Sequence, residues 1–136
     1  MTTTCDDDPD IAGLPDVVVV DADRRVRQSL ADLLTLAGVP VIATAGSVAE
    51  ALGAVEVHRP QILLVDPRLP DVDAGEVLLG AVEELDPRIR VILMGWSDAL
   101  ERPGLLARAA GYLPKGSTPE AFVAAALAAL GCGVGA

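Results

Sequence analysis

"VVVVDADRRV", residues 17–26, carries the reading of the whole chain. Four valines run without a polar break into an acid, and an apolar run of that length reads as a strand buried on both faces. Asp21 stands where the run ends, Ala22 and Asp23 follow, and two arginines open a different pattern. A strand of this kind delivers its carboxylates to the C-terminal edge of a sheet, where phosphate and metal sites are commonly built.

The chain has 136 residues, enough for one domain with a sizeable core. A hydrophobic fraction of 51% beside 22% charged residues indicates a globular protein. Aromatics make up only 2%, so the core must be built from Val, Leu, Ile and Ala, which suits a parallel sheet covered by helices. No apolar run approaches the roughly 18 residues that span a bilayer. The first residues also lack the basic-then-apolar order of a signal peptide, so a cytoplasmic protein without a membrane partner is expected. The net charge of −10 argues against direct nucleic-acid binding, which needs clustered Lys and Arg. Cys5 and Cys132 lie near opposite ends with no CxxC spacing and are expected as free thiols.

Residues 1–16, including the acidic "CDDDPD" (5–10), read as a tail without assigned structure. From Arg24 to Ala37 the apolar positions Val26, Leu30, Leu33, Leu34 and Ala37 follow helical spacing, and Gly38 closes the helix. "VPVIAT" (39–44) reads as a second strand, placed at a sheet edge by Pro40, which lacks a ladder donor. "SVAE" (47–50) is a capping box that opens a helix with Val48, Ala51, Leu52 and Val55 on one face. "QILLVD" (61–66) is a third strand ending in an acid. "DAGE" (73–76) is expected to cap a third helix that Asp86-Pro87 ends, and "IRVILM" (89–94) is a fourth strand.

Ser97 or Asp98 can cap a helix after that strand, although Pro103-Gly104 falls in its middle. "GYL" (111–113) is a short fifth strand, and "STPEAFVAAALAAL" (117–130) is a final helix with Pro119 in its first turn. Five strands alternating with five helices imply an α/β, doubly wound parallel sheet with right-handed crossovers and helices on both faces. A site in such a sheet lies outside the C-terminal strand ends, at Asp21–Asp23, Asp66–Arg68, Gly95–Ser97 and Pro114–Gly116. His58, at a helix end, reads as a partner of the helix dipole.

With these residues in order, the chain resembles the receiver domains of two-component response regulators over residues 17–130. Asp21 and Asp66 end strands one and three. "DPRLPDVDAGEVL" (66–78) is similar to the family's phospho-acceptor stretch, and "AAGYLPKGSTPEAFVAAALAAL" (109–130) resembles its last strand, lysine loop and last helix. The resemblance implies a flavodoxin-like (βα)5 fold with strand order 2-1-3-4-5 and a role in phosphorelay signal transduction. It implies Asp66 as phospho-acceptor, Lys115 as phosphoryl clamp, and Mg²⁺ held by Asp21, Asp66 and the backbone carbonyl of Arg68. Tyr112 matches an aromatic whose rotation reports the active state. The implied partners are a histidine kinase or another signalling protein, with a homodimer through the last helices. The only catalysis implied is the receiver's own phosphorylation and dephosphorylation. "GCGVGA" (131–136) leaves a short C-terminal tail, and no output domain is expected.

Two positions depart from the family pattern. The second acid after strand one is replaced by Ala22, and the hydroxyl position after strand four is Gly95, followed by the bulky Trp96. The interval from Gly95 to Lys115 is also shorter than usual. These changes set a receiver that still accepts phosphate on Asp66, inefficiently, against a phosphorylation-independent interaction module. Asp23 and Ser97 offer replacements for the missing acid and hydroxyl, but both residue types favour helix N-caps. A different class, the haloacid-dehalogenase-type phosphatases, would use Asp21 as nucleophile and Asp23 as general acid. Their motif continues with Gly-Thr, whereas here "RRVRQSL" (24–30) runs into a helix.

Overall fold

The computed structural model describes residues 14–96 and 102–131, so Cys5, Cys132, Ser97 and Asp98 lie outside the described residues. Five strands form one sheet: β1 (Val17–Val20), β2 (Val41–Ala45), β3 (Ile62–Val65), β4 (Arg90–Gly95) and β5 (Gly111–Pro114). Their order is β2-β1-β3-β4-β5 and every pairing is parallel, which is the flavodoxin-like arrangement. Pro40 precedes β2 and its carbonyl accepts from Val17 N, so the proline lies at an edge as its missing donor requires.

Strand alternation divides the core into two. Val18, Val20, Leu63, Val65 and Leu93 face one side, while Val17, Val19, Ile62, Leu64 and Ile92 face the other. The first side is covered by α2 (Val48–His58) and α3 (Val72–Leu85), the second by α1 (Arg24–Leu36) and α4 (Pro119–Ala129). Each strand of the centre is thus buried on both faces, which is why its sequence shows no polar alternation.

The caps follow the residue preferences closely. Asp23 accepts from Arg25 N and Val26 N, Ser47 from Glu50 N, and Thr118 from Ala121 N. Gly38 closes the turn after α1 at a φ of 93°, a conformation that costs glycine nothing. One cap differs from expectation. Asp71 caps α3 by accepting from Ala74 N at 3.0 Å, so the helix starts earlier and Asp73 lies inside its first turn. Both acids suit a cap, and the loop geometry selects the first.

The helix expected between the fourth and fifth strands is a correction. Among the described residues, β4 and β5 are joined by a single 3₁₀ segment, Pro103–Arg108. Pro103 offers no N–H, and Gly104 has low helix propensity, so a regular α-helix across them is disfavoured. The segment is nevertheless anchored. Leu105 is buried in the α2/α3 core, and Arg102 reaches Asp73 at 2.8 Å and Glu76 at 2.7 Å on α3. Arg108 pairs with Glu83 of the same helix at 3.3 Å.

Asp86, the C-cap of α3, is buried and accepts from the Arg88 side chain at 3.0 and 3.3 Å. Those hydrogen bonds, with the Arg88 amide and the charges of Arg88 and Arg59, hold its carboxyl below the ordinary value. A depressed folded-state pKa stabilises the fold fully above the unfolded value and loses that contribution as pH falls through the folded one. Acid unfolding should therefore gain a component below about pH 4, where free Asp titrates. Asp86→Asn should flatten that limb in denaturant titrations across pH; an unchanged acid limb would refute the assignment.

Candidate functional site

Three site residues are fixed by main-chain bonds that continue the sheet just past its strands. Asp21 N donates to Ala45 O at 3.0 Å, Asp66 N to Val20 O at 3.0 Å, and Lys115 N to Gly95 O at 2.8 Å. Their side chains therefore leave the sheet at one end, on either side of the point where strand order reverses between β1 and β3.

The two aspartates are built alike. Asp21 Oδ1 accepts from Asp23 N at 2.9 Å, and Asp66 Oδ1 accepts from Arg68 N at 3.0 Å. Each carboxylate spends one oxygen on its own loop and turns the other toward Lys115. The ammonium stands 2.6 Å from Asp21 Oδ2 and 2.6 Å from Asp66 Oδ2. All three side chains are removed from water, with 3%, 8% and 3% exposure for Asp21, Asp66 and Lys115. Asp21 Oδ2, buried with its carboxylate, has the Lys115 ammonium as its charge partner. The ammonium also lies 5.0 Å from the centre of the Trp96 ring.

The donors fit a divalent cation at its lower limit. Mg²⁺ is held in proteins by one or two carboxylates with other oxygens, and Asp21 and Asp66 each turn one buried oxygen into the same space, where the Lys115 ammonium now balances their charge. Among the described residues no third acid, His or Cys joins them. Ala22 is exposed and has no side-chain oxygen to offer. Asp23 Oδ1 accepts from Arg25 N at 2.9 Å and Val26 N at 3.2 Å at the start of α1, the N-cap role its residue type favours.

Two residues that sequence reasoning passed over hold the site's frame. Arg27 Nη1 donates to the Asp21 carbonyl at 3.0 Å, fixing the turn after β1. Gly75 lets α3 lie against the Asp66 loop: a Cβ there would stand 2.0 Å from the Pro67 carbonyl oxygen. A glycine inside a helical pattern was the available signal, shared by Gly75 and Gly80. Gly75→Ala drives its methyl into the Pro67 backbone and should cost about 1–3 kcal/mol or more in urea denaturation; wild-type stability would show that the helix shifts freely. His58, exposed at the end of α2, has no place in the site.

Residues 17–127 match the family described as the response regulator receiver domain. The transcriptional activator DevR/DosR of Mycobacterium tuberculosis is 36% identical over 101 residues, covering 73% of this chain and 46% of that protein. The regulatory protein NarL of the same organism is 35% identical over 114 residues, covering 82% of this chain and 52% of that protein. The chain thus spans about half the length of these curated relatives. The solved signal receiver domain of NarL superposes with a TM-score of 0.70 at 29% identity, covering 88% of this chain and 98% of that one. With the sheet order, the two strand-end aspartates and the lysine in place, the chain belongs to the response regulator receiver domain family.

Proposed function

We propose that Asp66 is the phospho-acceptor of a signalling receiver whose metal site is one carboxylate short. Phosphoryl uptake is then slow, and the unphosphorylated form is the one that chiefly meets partners. The buried Asp21–Lys115–Asp66 cluster carries this reading, because it keeps an acceptor carboxylate, a metal-site acid and a phosphoryl clamp together. Asp66 Oδ2 would attack the phosphorus of the donor. The new O–P bond forms as the donor's bond to phosphorus breaks, its electron pair leaving with the donor. Lys115 would then hold a phosphoryl oxygen. Asp21, Asp66 and the Arg68 carbonyl would hold Mg²⁺, whose contribution when bound is to neutralise charge on the phosphoryl group.

The missing acid at Ala22 and the missing hydroxyl at Gly95 support slow uptake. The donor class is a histidine kinase or another signalling protein in a cytoplasmic phosphorelay, and self-association through α4 belongs to the same reading. Among the described residues no helix is long and apolar enough to cross a membrane. The net charge of −10 argues against direct nucleic-acid contact by this domain.

Incubation with Mg²⁺ and acetyl phosphate, followed by intact mass measurement, tests the acceptor. A slow, partial gain of one phosphate, absent in Asp66→Asn, is expected. The same gain in Asp66→Asn, or none in either protein, would overturn the assignment.

A further inference from the structure

Gly95 ends β4, and Tyr112 lies on the neighbouring β5, in register with Leu93. A Cβ placed on Gly95 would stand 2.8 Å from Tyr112 Oη and 3.6 Å from the ring carbons Cε1 and Cζ. The first separation is closer than side chains tolerate, so the phenol occupies space that any other residue at position 95 would claim. The ring also packs against the α2/α3 core.

We infer that Gly95 and Tyr112 act as one composite position: the phenol, delivered from β5, permanently fills the place of the absent strand-four side chain. The physical reason is one-sided competition. With glycine at position 95 nothing contests the space, while swinging the ring away would leave a void and expose apolar ring surface. The ring's position is therefore set by the sequence and does not follow the state of Asp66. This goes beyond the phospho-acceptor reading, since it holds whether or not Asp66 takes up phosphate.

Tyr112 is the chain's single tyrosine, so its ring resonances can be assigned without ambiguity. Carbon-13 labelling of tyrosine would follow the ring in wild type and in Gly95→Ala, each with and without Mg²⁺ and beryllofluoride. Wild type should show one set of ring signals, unmoved by the phosphoryl mimic. Gly95→Ala should shift them, because the added methyl meets the end of a rotatable side chain, which swings aside while the fold is kept. A stability cycle gives the second measurement: Gly95→Ala should lower the melting temperature of wild type and leave the Tyr112→Leu background unaffected. Wild-type ring signals that move with beryllofluoride, or ring signals left in place by Gly95→Ala, would overturn the inference, as would additive stability effects. A mimic that fails to bind at Asp66 would count against the phospho-acceptor reading alone, and the alanine comparison would still decide this one.

Discussion

Replacing Ala22 with aspartate should raise Mg²⁺ affinity at least tenfold and speed phosphorylation of Asp66 by acetyl phosphate to match. Ala22 directly follows Asp21, the acid that ends β1, and is exposed, so a carboxylate can be added there without burying a new charge. A second charge about 4 Å from a cation is worth about 4 kcal/mol per unit pair at an effective dielectric of 20, before desolvation. Even a third of that, about 1.4 kcal/mol, is a tenfold change in affinity. The measurement is Mg²⁺ titration by calorimetry beside the rate of mass gain, with Asp66→Asn as the control that stays unmodified. If Ala22→Asp binds Mg²⁺ no better than wild type, the missing acid is not what limits the site.

Lys115→Met should destabilise the protein by about 3–5 kcal/mol in metal-free buffer, the usual cost of removing one partner from a buried charge cluster. Asp21 and Asp66 would be left facing each other in a space nearly closed to water, with no cation between them. Divalent cation should then recover part of the loss, because an ion that binds only the folded state stabilises it by mass action. Wild type, with the ammonium already 2.6 Å from both carboxylates, should gain far less from the same ion. Urea denaturation with Mg²⁺ and with a chelator separates the cases. Equal, metal-independent stability of the two proteins would mean that Lys115 is not the counter-charge of this cluster.

The parts of the fold that the sequence displayed were those governed by burial on two faces. Val17–Val20 and Ile62–Val65 read as central strands. The apolar spacing of α1 gave its inner face only in part: Leu34 is buried as expected, Leu33 and Ala37 are exposed, and Ala31 is buried instead. Asp21, Asp66 and Lys115 were readable because each lies one step past a strand, where topology alone brings distant residues together. What stayed hidden depends on side-chain direction and on close approach of backbones. The fit of Gly75 against Pro67 leaves no trace beyond a glycine in a helix, and the inward Tyr112 ring depends on a rotamer. The 3₁₀ segment was signalled by Pro103-Gly104, yet its clamp by Arg102 and Arg108 comes from α3, with Glu76 and Glu83 lying 26 and 25 residues earlier in sequence.

Trp96, which is 64% exposed and faces the Lys115 ammonium at 5.0 Å, gives this receiver a built-in optical probe. It is the chain's single tryptophan, so emission has one source. A cation held over an indole face perturbs the ring's electron distribution. Any ion or phosphoryl group that draws the ammonium away should therefore change the emission in proportion to occupancy. Binding at the site can be followed in unlabelled protein on the timescale of mixing. The signal should vanish in Lys115→Met, and an identical titration curve in that variant would show that the light reports something else.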